Sequence, residues 1–211
     1  MRTLVIDTAT QILSVALFDG DMLRARHHEV AGRGHAERLL PVIAALPDGG
    51  RADRIVVDVG PGSFTGVRIG LAAARALAFA WQAALSGYGT AAIVAAAARE
   101  RHDTDGPIAV AITGGHGELF WQRFDAQTLA PEAPPVSVPI AELAARVDDP
   151  VIYGSGAQAL VDARGHGTAV PVDADSASFP ALPDDALLAP TPVYGRGADA
   201  KPMAVRTGSG T

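Results

Sequence analysis

Three groups of residues in this chain have types and spacing that can do chemistry. The first is Gly60-Pro61-Gly62-Ser63-Phe64-Thr65-Gly66, which follows the apolar run Ile55-Val56-Val57 and precedes an alanine-rich stretch. A strand, a glycine loop and a helix in that order aim backbone N–H groups and the positive helix end at an anion, so Gly62, Ser63 and Thr65 are candidate phosphate contacts. The known phosphate patterns fail here. A Walker A loop needs Lys and then Ser or Thr after its closing glycine, whereas Gly66 is followed by Val67 and Arg68. A dinucleotide fingerprint counted from Gly60 needs glycine where Thr65 stands, and a nucleophile elbow needs one residue between the adjacent Gly62 and Ser63. The other reading of the loop is a tight turn in which Ser63 or Thr65 caps the next helix.

The second group is Asp7, Thr8 and Thr10, at the end of the first apolar segment. A carboxylate there can hold Mg²⁺ through water, with the hydroxyls near a phosphate. Equally, Asp and Thr at a strand end bond their own backbone in a turn. The third group is Arg68 and Arg75, seven apart and so on one helix face, suited to RNA, a nucleotide, an acidic partner or plain solvent. The histidines are His27, His28, His35, His102, His116 and His166, with no pair at helical metal-ligand spacing. His35 and Glu37 share a helix start, where they suit the helix end or a solvated face. No metal site and no Ser, His and Asp trio is recognisable from spacing.

These groups need elements to position them. Residues 2–7, 12–18 and 22–30 read as an antiparallel meander of strands. Residues 35–46 read as a helix with Leu39, Leu40, Ile43 and Leu46 on one side, stopped by Pro47 and Gly49-Gly50. Residues 54–59 are a buried strand. A second helix is predicted from Ser63 or Thr65 to about Leu85, and a third over 91–101, capped by Thr90. Asp103 to Pro107 marks a boundary. Beyond it come a strand at 107–113, a pairing strand at 117–125, a proline-rich connection at 130–139, a short helix at 140–147 and a strand at 151–156. The last forty-odd residues, rich in Ala, Pro and Asp, give no element. Strands followed by strand–helix alternation, twice over, predict two similar α/β halves.

Composition narrows the function classes. The chain has 211 residues with 48% hydrophobic content, enough for one large domain or two small ones. The lack of cysteine excludes disulfides, thiol nucleophiles and cysteine metal sites. A net charge of -6, with Lys201 as the single lysine, argues against broad nucleic-acid binding through counterion release. Asp7 interrupts the first apolar run too early for a signal peptide, and Arg68 and Arg75 interrupt the longest hydrophobic stretch, so a cytoplasmic protein is expected. Ile69, Ala72, Ala73, Ala76 and Ala80 recur at spacings of three and four. A helix this apolar needs cover on more than one side, part of it from another chain.

The segments "LVIDTAT", "SVAL", a histidine followed by "LLP", and "GPGSFTGVRIGLAAARALA" resemble, in order and spacing over residues 3 to about 98, the TsaB family, also called YeaZ. "GPGSFTG" followed by Val or Leu and Arg is a specific signature of that family. "AVAI", "GELFW" and a tyrosine–arginine motif at Tyr194 and Arg196 match more loosely. The resemblance implies an α/β fold of two ribonuclease-H-like halves (the actin, sugar-kinase and heat-shock-chaperone superfamily), with mixed sheets flanked by helices. Residues 1–102 would form the N-terminal half with partner-docking helices, and 103–211 the C-terminal half with a loop-rich end.

The resemblance also implies a role without catalytic residues or a bound metal: an accessory subunit of TsaD that, with a TsaE-type ATPase, supports transfer of a threonylcarbamoyl group to the adenosine next to the tRNA anticodon. ATP or ADP and Mg²⁺ would then sit mainly on the partners, tRNA would be met through the complex, and the chain alone would homodimerise. The docking face would carry Leu39, Leu40, Ile43, Leu46, Ile69, Ala72, Ala73 and Ala76. Any residual nucleotide contact would fall on Asp7, Thr8, Gly62, Ser63, Thr65 and Arg68. The alternatives are a metal-dependent hydrolase or peptidase, which lacks a second carboxylate or histidine pair to accompany Asp7, and a weak nucleotide sensor. The chain departs from the family at Thr113-Gly114-Gly115-His116, where an Asp-Ala-Arg stretch is usual, and at Gly195, where Leu is.

Overall fold

A computed structural model of the chain describes residues 1–102, 104 and 106–195, so Arg196 and Lys201 lie outside the described residues. The first strands are β1 (Arg2–Asp7), β2 (Ile12–Asp19) and β3 (Met22–Val30), paired as an antiparallel meander as the spacing of the apolar segments predicts. Two further strands, β4 (Arg54–Asp58) and β5 (Ala84–Tyr88), add in parallel on the other side of β1, giving the order β3-β2-β1-β4-β5.

Successive strand side chains point to opposite faces, which explains the apolar runs of β1 and β4. Leu4, Ile6, Ile55 and Val57 pack under α1 (His35–Ala44) and α2 (Phe64–Trp81). Val5 and Val56 pack on the opposite face, against α3 (Thr90–Arg101). On α3, Ala91 and Ala95 to Ala98 are all buried, because that helix is packed against both sheets; small side chains on every side allow the close approach.

The second sheet repeats the plan. Its centre is β6 (Ile108–Thr113), flanked antiparallel by β7 (Glu118–Phe124) and β8 (Val136–Pro139), and in parallel by β9 (Val151–Tyr153) and β10 (Thr168–Val170), in the order β10-β9-β6-β7-β8. Helices α4 (Ile140–Ala144) and α5 (Ala157–Arg164) pack on its outer face with Leu143 and Leu160 in that core. The chain is thus two α/β halves with mixed five-stranded sheets.

The chain then returns to the first half. A 3-10 turn at Ser176–Ala181 lies on β1, β2 and β3. Leu188 bridges antiparallel to Gly87, and the Val193 N–H donates to Val59 O at 2.8 Å. The Ser137 N–H donates to Gly195 O at 2.9 Å, so this terminal strap touches both halves.

Several sequence expectations need correction. Helix α2 ends at Trp81, where Gln82 takes a left-handed cap, and Leu85 belongs to β5, a strand the sequence reading did not predict. The proline-rich connection contains β8, which ends on Pro139 at a sheet edge where a missing N–H is tolerated. Helix α5 and strand β10 were also unpredicted. Thr90 does not cap α3; Gly89 is the N-cap residue. Among the described residues no helix is long and apolar enough to cross a membrane.

Candidate functional site

The parallel pairing of β1 with β4 matches Ile6 to Val57, so Asp7 and Asp58 stand side by side one step later. They lie on the face turned toward α3, and their exposures are 0% and 1%. Asp7 accepts from the Ala9 N–H at 3.1 Å and the Tyr88 hydroxyl at 3.2 Å. Asp58 Oδ1 accepts from the Gly60 N–H at 2.6 Å and the Thr90 hydroxyl at 2.8 Å. Its Oδ2 is buried with no hydrogen-bond partner of that kind. Burial pushes both carboxyls above the ordinary range, Asp58 further because the negative Asp7 is its neighbour. The Tyr88 phenol is likewise raised by burial and by the two aspartates. The second carboxylate that residue spacing leaves missing beside Asp7 is Asp58, brought there by the β1–β4 register.

The glycine loop follows Asp58 directly, and the chain uses its donors internally. The Ser63 N–H donates to Ala9 O at 2.7 Å, and the Val67 N–H donates to Ser63 O at 2.9 Å. The Gly66 N–H donates to Ser63 Oγ at 3.2 Å, which makes Ser63 the N-cap of α2. The Thr8 hydroxyl donates to Gly66 O at 2.7 Å. A Cβ on Gly62 would stand 2.2 Å from Ala9 O, and one on Gly66 2.0 Å from Thr8 O. Both glycines are required by the close approach of the Asp7-Thr8-Ala9 turn. Of the two readings of the loop, the capped turn is the one observed. Asp7 and Thr8 are buried behind it, while Ser63 and Thr65 face solvent.

The two arginines of α2 hold the terminal strap. The Arg68 guanidinium lies 3.4 Å from the Phe64 ring centroid and donates to the Tyr194 hydroxyl at 3.0 Å. Arg75 donates to Pro190 O at 2.7 Å. Their shared face therefore meets this chain's own C-terminal segment.

The predicted docking residues divide sharply. Leu39, Ile43 and Leu46 are buried in the first core, and this corrects their assignment to a docking face. Leu40, one residue and 100° round the helix from Leu39, is 52% exposed, so it does not share their side as predicted. Ile69 and Ala73 are half-buried against the same core, whereas Ala72 and Ala76 are exposed. Phe79, which the sequence reading passed over, is 89% exposed. The apolar spacing of α2 from Val67 through Leu71, Ala74 and Ala78 places Phe79 on the outer side, which is the signal that could have found it.

His35 is not on a solvated face. It is 4% exposed, and its Nε2–H donates to Ile12 O at 3.1 Å. Among the described residues no group of three or more His, Asp or Glu side chains is arranged to hold a metal ion. A third buried carboxylate, Asp175, lies under the strap's 3-10 turn. Arg26 donates to both its oxygens, at 3.0 and 2.7 Å, and Arg101 donates at 2.8 Å. Burial pushes this carboxyl up, but the Arg26 bonds and the Ala177 N–H bring it below the ordinary value. The Thr113–His116 departure forms the β6–β7 turn, closed by the Gly114 N–H donating to Glu118 O at 2.9 Å, with His116 at φ 62°.

Comparison with known proteins fits this architecture. The family model described as TsaD, tRNA N6-adenosine threonylcarbamoyltransferase, matches residues 27–152, more than half the chain. The tRNA threonylcarbamoyladenosine biosynthesis protein TsaB of Escherichia coli is 36% identical over 129 residues, covering 59% of this chain and 55% of that protein. TsaB of Bacillus subtilis is 33% identical over 125 residues, covering 57% and 53%. The chain thus spans about half the length of these relatives. The solved structure of YeaZ from Pseudomonas aeruginosa superposes with a TM-score of 0.77 at 26% identity, covering 92% of this chain and 99% of that one.

Proposed function

The chain belongs to the family that the TsaD model describes and, within it, to TsaB (YeaZ), and from that premise we propose that it is a non-catalytic subunit in threonylcarbamoyladenosine biosynthesis on tRNA. Its partner is a TsaD-type subunit, joined by a TsaE-type ATPase; tRNA is met through that complex, and the cytoplasm is the place of action. The observation that carries the non-catalytic reading is the filled glycine loop. Ser63 N–H, Gly66 N–H and the Thr8 hydroxyl, which an anion would need, are bonded to the protein itself. ATP, ADP and Mg²⁺ then belong mainly to the partners.

Docking falls on the outer surface of α1 and α2, through Leu40, Ala72, Ala76 and Phe79, and the same surface serves a homodimer when the partner is absent. A stable interface there needs to bury at least ~1,000 Å². Phe79→Asp and Leu40→Asp are expected to abolish co-elution with TsaD while leaving the fold intact.

The test is reconstitution: TsaC, TsaD and TsaE with tRNA, ATP, bicarbonate and labelled threonine, with and without this chain. Label that depends on the chain supports the reading. Label without it, or ATP hydrolysis by the chain alone that Asp7→Ala removes, would replace it with a hydrolase. Titration calorimetry with ADP separates the subunit from a nucleotide sensor.

A further inference from the structure

Asp7 and Asp58 are two buried carboxyls brought side by side with no arginine between them, and the role above makes no use of them. We propose that the pair shares a single proton at neutral pH, Asp58 Oδ2–H donating to the Asp7 carboxylate, and that this proton is a pH-sensitive lock joining the glycine loop to β1 and α3. The inference does not depend on the proposed function.

The hydrogen-bond inventory leads to it. Backbone N–H groups of Ala9 and Gly60 and the hydroxyls of Tyr88 and Thr90 supply donors to Asp7 and to Asp58 Oδ1. The one oxygen without a protein donor is Asp58 Oδ2, which is buried and belongs to the carboxyl beside Asp7. A buried polar atom left unmatched is costly, and two ionised carboxylates in contact repel. One proton between them removes both penalties, as it does for any tight carboxyl pair that cannot ionise twice.

The groups around the pair come from every adjoining element: His35 of α1, Tyr88 of β5, Thr90 of α3, and Ser176 of the 3-10 turn beside Tyr88. His35 spends Nε2–H on Ile12 O and donates to neither carboxyl. No Lys or Arg among the described residues donates to either carboxyl. A divalent cation fits poorly. Mg²⁺ or Ca²⁺ asks for six or more oxygen ligands, and this pair is ringed by donors that already point at its oxygens.

The lock follows from connectivity. Asp58 holds Gly60 N–H and the Thr90 hydroxyl, and the Thr90 N–H donates to Gly60 O at 3.1 Å. Losing the proton sets β1 and β4 against each other at the point where the loop begins. The folded carboxyl lies above its unfolded value, so its stabilisation is complete below the ordinary carboxyl range and is lost as pH rises toward the folded value. The folding equilibrium falls by up to about tenfold for each pH unit in that window.

Two measurements test it: urea unfolding of the wild type and Asp58→Asn between about pH 5 and about pH 9, and infrared difference spectra of the carboxyl region. An asparagine amide can donate to Asp7 without a titratable proton. The expected result is a protonated-carboxyl band in the wild type that Asp58→Asn removes, and a wild-type folding constant that falls with pH relative to the variant. The absence of that band in the wild type at neutral pH would overturn the proposal, and needs no variant that folds. So would a wild-type-to-variant ratio that stays flat with pH, or a melting temperature that Mg²⁺ or Ca²⁺ raises in the wild type but not in Asp58→Asn.

Discussion

Two sites in this molecule bury aspartates against the first sheet and solve the same problem in opposite ways. Asp175 is 2% exposed and takes bidentate Arg26, Arg101 and a neighbouring His28 whose Nδ1 is 3.7 Å away. Asp7 and Asp58 are at least as buried and face each other with donors but no arginine. Burial raises every one of these carboxyls; only at Asp175 do cations overcome it. The difference is one of position. Asp175 lies between the edge strand β3 and the end of α3, where arginine heads reach solvent while their stems pack. The pair lies at the inner ends of two central strands, where long cationic side chains have no route to water.

The sharpest way to break the comparison is truncation. Asp58→Ala leaves Asp7 facing an apolar gap and strands the Gly60 N–H and the Thr90 hydroxyl, with an expected loss of roughly 3–5 kcal/mol in urea unfolding. Asp175→Ala releases two arginines whose side chains are 42% and 47% exposed and can hydrate, so its expected cost is smaller, about 2 kcal/mol. An Asp175 loss larger than the Asp58 loss would reverse the assignment of which site depends more on its partners.

The pH profile is the next test. The Asp175 carboxyl is depressed, so its stabilisation is present above the ordinary carboxyl value and is lost as pH falls through the folded value. Asp175→Asn is expected to flatten the acid limb of stability against pH, whereas Asp58→Asn flattens the limb above it. Swapped limbs would refute both readings.

Salt gives the smallest effect. Raising ionic strength to about 1 M shortens the screening length to about 3 Å and is expected to cost about 0.5 kcal/mol through the half-exposed arginines at Asp175. The same salt should leave the difference between wild type and Asp58→Asn unchanged.

Much of this molecule was legible in the order of residues. The meander of β1 to β3 follows from the spacing of its apolar segments, helix α1 from local periodicity and helix α3 from a run of good helix formers, and the "GPGSFTG" signature points to the family. The misses have physical causes. Strand β5 is short, begins with alanine and contains Gly87, so nothing local marks it; pairing to β4 makes it a strand. Strand β8 is hidden by prolines that only an edge position tolerates. The stripe on α1 is narrower than spacing alone implies, since Leu39 turns inward while Leu40 turns out. Phe79 lies off the stripe of Ile69, Ala72, Ala73, Ala76 and Ala80, and only the inward spacing of Val67, Leu71, Ala74 and Ala78 marks it as facing away from the core.

By itself the sequence determined the two-half α/β plan, the capped start of α2 and the membership that frames the function, because periodicity, capping and signature residues act over a few turns of chain. Only the tertiary structure decided that Asp58 sits beside Asp7, that Arg68 and Arg75 hold the terminal strap, and that the glycine loop closes on the Asp7-Thr8-Ala9 turn. Each of these joins residues far apart in the chain, and their energies depend on burial and strand register, which no local pattern of residues records.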